Sequence, residues 1–279
     1  MLIRAGYDIA FQCPAQTSML LQLNVHPSRI DDLRSPDIVQ SDPNLAMGAY
    51  LDHFGNRVTR VDVPPGIVTF SNRFLIHDSG VPDEAPADTL VTPIARLPNE
   101  VLVFLISSRY CDSDNLTNFA WSMFGGLNGG YQRVQAICNF VHGQIRFSYP
   151  EARSNRTASD SMREGVGVCR DFAHLAVALC RCMNIPARYC TGYLGDIGVP
   201  IDPNPMDFSA WFEVFLEGRW HTFDARHNHS RIGRIVMARG RDAADVAIST
   251  AFGIANLVRF EVVTEEQEVD APGERAAVS

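Results

Sequence analysis

The stretch GVCRDFAHLAVALCRCMNIPARYCTGYL, residues 167–194, joins the strongest helix pattern of the chain to a strand that follows directly. Apolar side chains recur there at the spacing of one helix face. They are Phe172, Leu175, Ala176, Leu179, Cys180 and Met183. The residues NIP at 184–186 end this pattern, because proline cannot continue a helix. The stretch predicts a core-packed helix beginning near Cys169, followed by a strand at ARYCTGYL.

The next block, DFSAWFEVFLEGRWHTFDARH at residues 207–227, has the composition of two strands joined by a tight turn. A two-residue loop at positions 217–218 suits the glycine found there. Side chains alternate by two along a strand, so this loop places Ser209 and Asp224 on one face of the hairpin. His221 falls on the other face. A three-residue loop would reverse these assignments.

Composition limits the classes of function. Of the 279 residues, 46% are hydrophobic and 20% are charged, which is ordinary for a soluble globular protein of one or two domains. The net charge is −8, and no run of Lys and Arg stands out, which argues against nucleic acid as the main partner. No apolar stretch is long enough to span a bilayer, and the N-terminus lacks the apolar region of a signal peptide. We therefore expect a cytoplasmic protein without a membrane partner.

The seven cysteines are scattered along the chain and include no CxxC pair. An odd number without regular spacing favours reduced thiols over disulfides. A zinc ribbon is not expected.

The first ninety or so residues are rich in β-branched and aromatic residues, and they predict a small antiparallel β-domain. A Pro- and Asp-rich segment at residues 79–93 is the best candidate for a linker. The last residues are acidic and lack a hydrophobic pattern, which predicts disorder. We predict domain boundaries at 1–92 for the β-domain, 93–265 for an α+β domain and 266–279 for a disordered tail.

Cys169 lies at the predicted start of the strong helix, directly after a segment that contains Gly165 and Gly167. Unpaired N–H groups and the partial positive charge of a helix N-terminus favour an anion. A thiol there tends to have a lowered pKa, and the same amides can stabilise an oxyanion. Cys169 is therefore a candidate nucleophile, although a buried structural cysteine is the more common occurrence.

The histidines in and after the hairpin raise the possibility of a metal site. His221, Asp224, His227 and His229 lie within nine residues and have metal-ligand chemistry, but strand alternation separates His221 from Asp224. No metal site and no cofactor are expected.

The two quoted blocks resemble the core of the transglutaminase-like superfamily, whose members have a papain-like fold. The resemblance extends over about residues 97–260, and the β-rich region before it resembles the domain that precedes this core in bacterial members. It implies an α+β fold: an N-terminal antiparallel β-sandwich followed by a transglutaminase-like core.

The resemblance also implies a catalytic triad. Cys169 matches the family's nucleophile, and Asp224 in TFDAR matches the acid that orients the histidine. The histidine belongs in the family's HAW, where this chain has SAW, so Ser209 occupies the position of the general base. Serine cannot exchange protons near neutral pH as imidazole does.

Another histidine can replace the missing base only if the fold brings one near. By its helical spacing His174 is poorly placed for this, and His221 is on the wrong face. His227 could fold back beyond the strand end, and His53 or His77 could reach across from the first domain. Any single one of them is more often an ordinary surface or hydrogen-bonded histidine.

Three functions follow from these residues. The first is that of a cysteine protease, amidase or transamidase that acts on protein or peptide amide bonds through a Cys169 thioester. The second is that of a catalytically impaired relative that binds a peptide or protein. The third is exchange on an activated acyl group, which needs no protonation of an amine.

Overall fold

The computed structural model describes residues 1–83, 86–203 and 206–267. Its strands, in chain order, are β1 (Leu2–Cys13), β2 (Thr17–Leu21), β3 (Gln40–Asp42), β4 (Met47–Leu51), β5 (Arg57–Val63), β6 (Gly66–His77), β7 (Arg146–Phe147), β8 (Val166–Gly167), β9 (Ala187–Leu194), β10 (Ser209–Leu216), β11 (Arg219–Phe223), β12 (Arg234–Gly240), β13 (Ser249–Phe252) and β14 (Asn256–Gln267). The α-helices are α1 (Thr117–Phe124), α2 (Gly130–Gln144), α3 (Ala158–Glu164) and α4 (Cys169–Cys182). Short 3₁₀ helices span Pro27–Asp32, Ile94–Arg96, Asn99–Leu105, Ser113–Asn115 and Tyr149–Glu151.

The N-terminal region is built on two four-stranded antiparallel sheets. Their strand orders are β14-β1-β6-β3 and β13-β2-β5-β4. Alternating side chains of both sheets are buried in one shared apolar cluster, which includes Ile3, Met19, Val61 and Phe70. The predicted N-terminal β-rich architecture is confirmed.

Both sheets are completed by strands from the end of the chain, because β14 pairs with β1 and β13 pairs with β2. The boundaries predicted at 1–92, 93–265 and 266–279 remain predictions. Glu266 and Gln267 belong to β14, and the rest of the predicted tail lies outside the described residues.

The second region is a four-stranded antiparallel sheet, ordered β11-β10-β9-β12, with α4 packed against it. Helix α4 begins at Cys169 and ends at Cys182, as its apolar spacing predicts. Asn184 then takes a left-handed conformation with φ of 58°, which turns the chain into β9. The face of α4 formed by Phe172, Leu175 and Leu179 is buried in the core of this region.

The hairpin of β10 and β11 has the predicted register. Leu216 pairs with Arg219 across a two-residue loop, and Val214 pairs with His221. Glu217 and Gly218 have φ values of 47° and 82°, as a type I′ turn requires. The ladder ends at the pair Phe212 and Phe223, however. The prediction that the second strand includes Asp224 is therefore wrong, since that residue lies just beyond β11.

Among the described residues, no helix is long and apolar enough to cross a bilayer.

Candidate active site at Cys169

The start of α4 is fixed by a buried carboxylate. Asp171 is fully buried, and its Oδ2 accepts the Val168 N–H at 2.8 Å and a bond from Arg156 Nη1 at 3.1 Å. The side chain of Asp171 packs so closely on Gly167 that a Cβ there would lie 2.6 Å from it. Asp171 thus holds the segment at Gly167 and Val168 against the first turn of α4, and this fixes the position of Cys169.

Cys169 is only partly buried, whereas the other six cysteines are buried. The backbone N–H groups of Arg170 and Ala210 lie close enough to the sulfur to favour its thiolate form. The first comes from the helix start and the second from β10, so helix and sheet both direct donors to the thiol. Such converging N–H groups can stabilise negative charge on the sulfur or on a neighbouring oxyanion.

The thiol nevertheless favours its neutral form. Burial raises the pKa of Cys169 to about 11, although Arg226 acts in the opposite direction and Asp207 adds to the rise. The expectation of a lowered pKa at this helix start is wrong. Cys169 packs against Tyr189, Ala210 and other apolar side chains, and the loss of water there outweighs the helix terminus.

Ser209 is the first residue of β10 and pairs with Gly192 of β9. It is buried, with 6% of its surface exposed, and its Oγ has no hydrogen-bond partner. Its neighbour Ala210 donates the N–H bond to Cys169, so position 209 lies beside the thiol. A buried hydroxyl without a partner is uncommon and calls for an explanation.

The carboxylate of Asp224 has four hydrogen-bond partners within the described residues, although the expected histidine is absent at position 209. Its Oδ1 accepts the N–H groups of Arg226 and His227, at 3.0 and 3.1 Å. Its Oδ2 lies 2.8 Å from His227 Nδ1 and 2.8 Å from Arg234 Nη2. Burial alone would raise the pKa of Asp224, but Arg234 and His227 hold it well below its ordinary range.

Arg234 joins this centre to the segment that follows the N-terminal sheets. Its guanidinium also forms an ion pair with Asp83 and lies 5.0 Å from the ring centre of Trp211. Trp211 is buried in the core of the sheet. Sequence reasoning missed Arg234, because its contact with Asp224 depends on the pairing of β12 with β9.

The other histidines occupy different places. His174 is fully buried, accepts the Ala243 N–H at 3.1 Å and stacks on Tyr110. His221 lies on the opposite face of the hairpin, paired with Val214. His77 lines a cleft with Arg29 and Asp78. Within residues 1–83, 86–203 and 206–267, no group of three or more metal-binding side chains could hold an ion.

A cavity of about 150 Å³ opens at Ser209. Its walls include Tyr149, Asp207, Phe208, Ser209, Arg226 and His227. Asp224 instead lines a separate cleft of about 450 Å³, with Tyr131 and Arg234. Cys169 lines neither of these two cavities. Arg226 and Asp207 connect it electrostatically to the cavity at Ser209, and His227 connects that cavity to Asp224.

Asp207 and Arg226 are the functional candidates that sequence reasoning missed. Both line the cavity, and both act electrostatically on Cys169. The sequence could have indicated both, because Asp207 precedes Ser209 by two residues and Arg226 follows Asp224 by two.

Comparison with known proteins places this site in a family context. Residues 117–225 match the model described as the transglutaminase-like superfamily. A structure from Cytophaga hutchinsonii, described as a "putative cysteine protease", has a TM-score of 0.84 and 29% identity, and the match covers 97% of this chain and 92% of that one. It confirms the α+β class, with a β-rich N-terminal region and a transglutaminase-like core.

Two other matches are more partial. An uncharacterised protein of Mycobacterium leprae (strain TN) is 32% identical over 119 residues, or 41% of this chain. The match spans only 42% of that relative's length. The periplasmic domain of TgpA from Pseudomonas aeruginosa has a TM-score of 0.41 and 12% identity, over 80% of this chain and 88% of that one.

Proposed function

Because residues 117–225 form a domain of the transglutaminase-like superfamily, we propose that this protein performs acyl chemistry on protein or peptide amides through a thioester at Cys169. The observation that carries the proposal is the pair of N–H groups, from Arg170 and Ala210, that act on the one cysteine that keeps partial solvent exposure. This arrangement suits a reaction in which negative charge develops at the sulfur and the attacked carbonyl.

The proposed reaction begins with attack of the Cys169 sulfur on the amide carbon. The carbon–nitrogen bond breaks, the amine leaves with a proton, and an acyl thioester remains on Cys169. Water then releases a carboxylic acid, or a second amine takes the acyl group in a transamidation. A thiol with a pKa of about 11 is protonated at rest, so the attack requires a proton acceptor at the site.

The test is the trapping of the acyl-enzyme. Peptide amides would be incubated with the protein, and the peptide containing Cys169 would be searched by mass spectrometry for the acyl adduct, while amine release is measured. We expect Cys169→Ala to lose both signals. Cys182→Ser is the matched control, because it keeps a donor for the Ser113 carbonyl that Cys182 Sγ contacts at 3.1 Å. Equal turnover by the parent and Cys169→Ala would overturn the proposal.

A second candidate function is peptide binding without cleavage. Ser209 in the place of the base, together with the neutral state of the Cys169 thiol, favours this alternative. Fluorescence polarisation with labelled peptides separates the two functions. Saturable binding that is equal in the parent and Cys169→Ala, with no amine released, would support a binding module.

A further inference from the structure

A cavity of about 150 Å³ opens at Ser209, and Cys169 is not part of its wall. Three of its wall residues, Tyr149, Asp207 and Arg226, interact electrostatically with Cys169. The N–H of Ala210, the residue after Ser209, reaches the sulfur. A small group in this cavity would therefore share its surroundings with residues that act electrostatically on the thiol.

The cavity presents a polar group that lacks a partner. Ser209 is 94% buried, being 6% exposed, and its Oγ makes no hydrogen bond within the described part of the chain. Leaving a buried hydroxyl unsatisfied is unfavourable, and a ligand that hydrogen-bonds to it would remove this cost. The Ser209 hydroxyl can therefore form a hydrogen bond with a ligand inside the cavity.

Size and chemistry select the ligand. A cavity of about 150 Å³ is large enough for a benzene-sized ring. Its walls include the aromatic rings of Tyr149 and Phe208 and the carboxylate of Asp207, which can accept an N–H. Burial raises the pKa of Asp207, although the Phe208 N–H and Arg226 act in the opposite direction. The thiol nearby needs a nitrogen that takes up and releases a proton near neutral pH, and imidazole is the ring that combines this with an N–H donor.

We propose that this cavity binds an imidazole ring that does not belong to the chain, carried by a histidine of the substrate or by a small imidazole compound. The inference rests on the acyl chemistry proposed above. One ring nitrogen takes the proton of the Cys169 thiol while the carbon–sulfur bond forms. It then gives that proton to the leaving amine as the carbon–nitrogen bond breaks, and the neutral ring is regenerated.

His227 is the resident imidazole that could compete for this role. Its Nδ1 lies 2.8 Å from Asp224 Oδ2, and the backbone N–H of His227 donates to the other oxygen of the same carboxylate. Asp224 therefore holds the ring as part of the cavity wall. The strongest charges acting on Cys169 come from Arg226 and Asp207. His227→Asn tests whether this ring performs the proton transfer.

The first experiment measures binding directly and needs no turnover. Free imidazole would be titrated into the parent and into Ser209→His, with its ring protons followed by NMR. We expect saturable binding to the parent and none to Ser209→His, because the new ring fills the cavity. The absence of saturable binding to the parent, or equal binding to both proteins, would overturn the inference. Binding without any acyl transfer would support the cavity and refute the acyl chemistry.

The second experiment measures acyl transfer from a histidine-free peptide amide. General acid–base groups typically contribute about 10²–10⁴-fold, so we expect free imidazole to raise the rate by at least about tenfold and to saturate. Pyrazole, a ring of the same size that is hardly basic, should give no rise. Turnover without added imidazole that is lost in His227→Asn would overturn the inference.

A matched pair of peptides identifies the source of the ring. A peptide with a histidine should be turned over without added imidazole, and its glutamine counterpart should require the free compound. If both peptides require free imidazole, the ring comes from a small molecule.

Discussion

The raised pKa of Cys169 makes a quantitative prediction for its reactivity. Burial raises the pKa of Cys169 from an ordinary value of 9.0 to about 11. Only the thiolate reacts with iodoacetamide. This rise lowers the thiolate fraction at pH 7 by roughly 100-fold, and the greater nucleophilicity of a more basic thiolate offsets part of that loss. We therefore expect alkylation of Cys169 at pH 7 to be at least about tenfold slower than that of a free thiol.

The assay would follow the modified Cys169 peptide by mass spectrometry between pH 6 and 11, with Cys169→Ala as the control for the other cysteines. Restricted access would slow alkylation equally at every pH, so the midpoint of the pH profile isolates the pKa. The rate of the parent should still be rising at pH 10, where a free thiol has levelled off. A midpoint below 8.5, or a rate at pH 6 above that of a free thiol, would refute the argument that burial outweighs the helix terminus.

Three further predictions concern activity and stability. Ser209→His should leave the fold intact and raise amide turnover by about 10²–10⁴-fold, since it adds a general base; a less active variant would contradict the triad alignment. Arg234→Met leaves the buried carboxylate of Asp224 and the partly exposed one of Asp83 without their cation, so urea unfolding should show a loss of about 3–5 kcal/mol. Arg4→Met, in an exposed pair, should cost under about 1 kcal/mol. Equal losses would contradict this difference. Burial, with Arg239, lowers the pKa of His26 to about 4, so between pH 6.5 and 4 the unfolded chain binds a proton that the folded chain does not. The free energy of unfolding should therefore fall by about 1 kcal/mol for each unit of decreasing pH, and His26→Asn should reduce this slope; an unchanged slope would exclude His26 as its source.

Local sequence patterns were sufficient to predict the helix and the hairpin that surround the site. The apolar spacing fixed the face of α4, and the glycine at position 218 fixed the loop and hence the hairpin register. These features depend on neighbours within a few residues, so a single sequence reveals them. The position of Cys169 at the start of α4 follows from the same information.

The charge state of the site could not be derived in this way. A helix terminus favours a thiolate, but the packing of Tyr189 and Ala210 around Cys169 removes the water that would stabilise the charge. Similarly, the partners of Asp224 come from a turn, through His227, and from another strand, through Arg234. Such contacts arise only when distant segments pack, and strand alternation alone does not reveal them.

The pairing of β1 with β14 affects how the protein can be synthesised. An ion pair in this sheet joins Arg4 to Glu265, which are 261 positions apart. A chain emerging from the ribosome N-terminus first exposes β1 and β2 long before their partners β14 and β13 exist. Open strand edges are prone to pair with other chains, and non-local pairing folds slowly. The nascent N-terminal region must therefore remain incomplete, and exposed to chaperones or aggregation, until translation has passed residue 267.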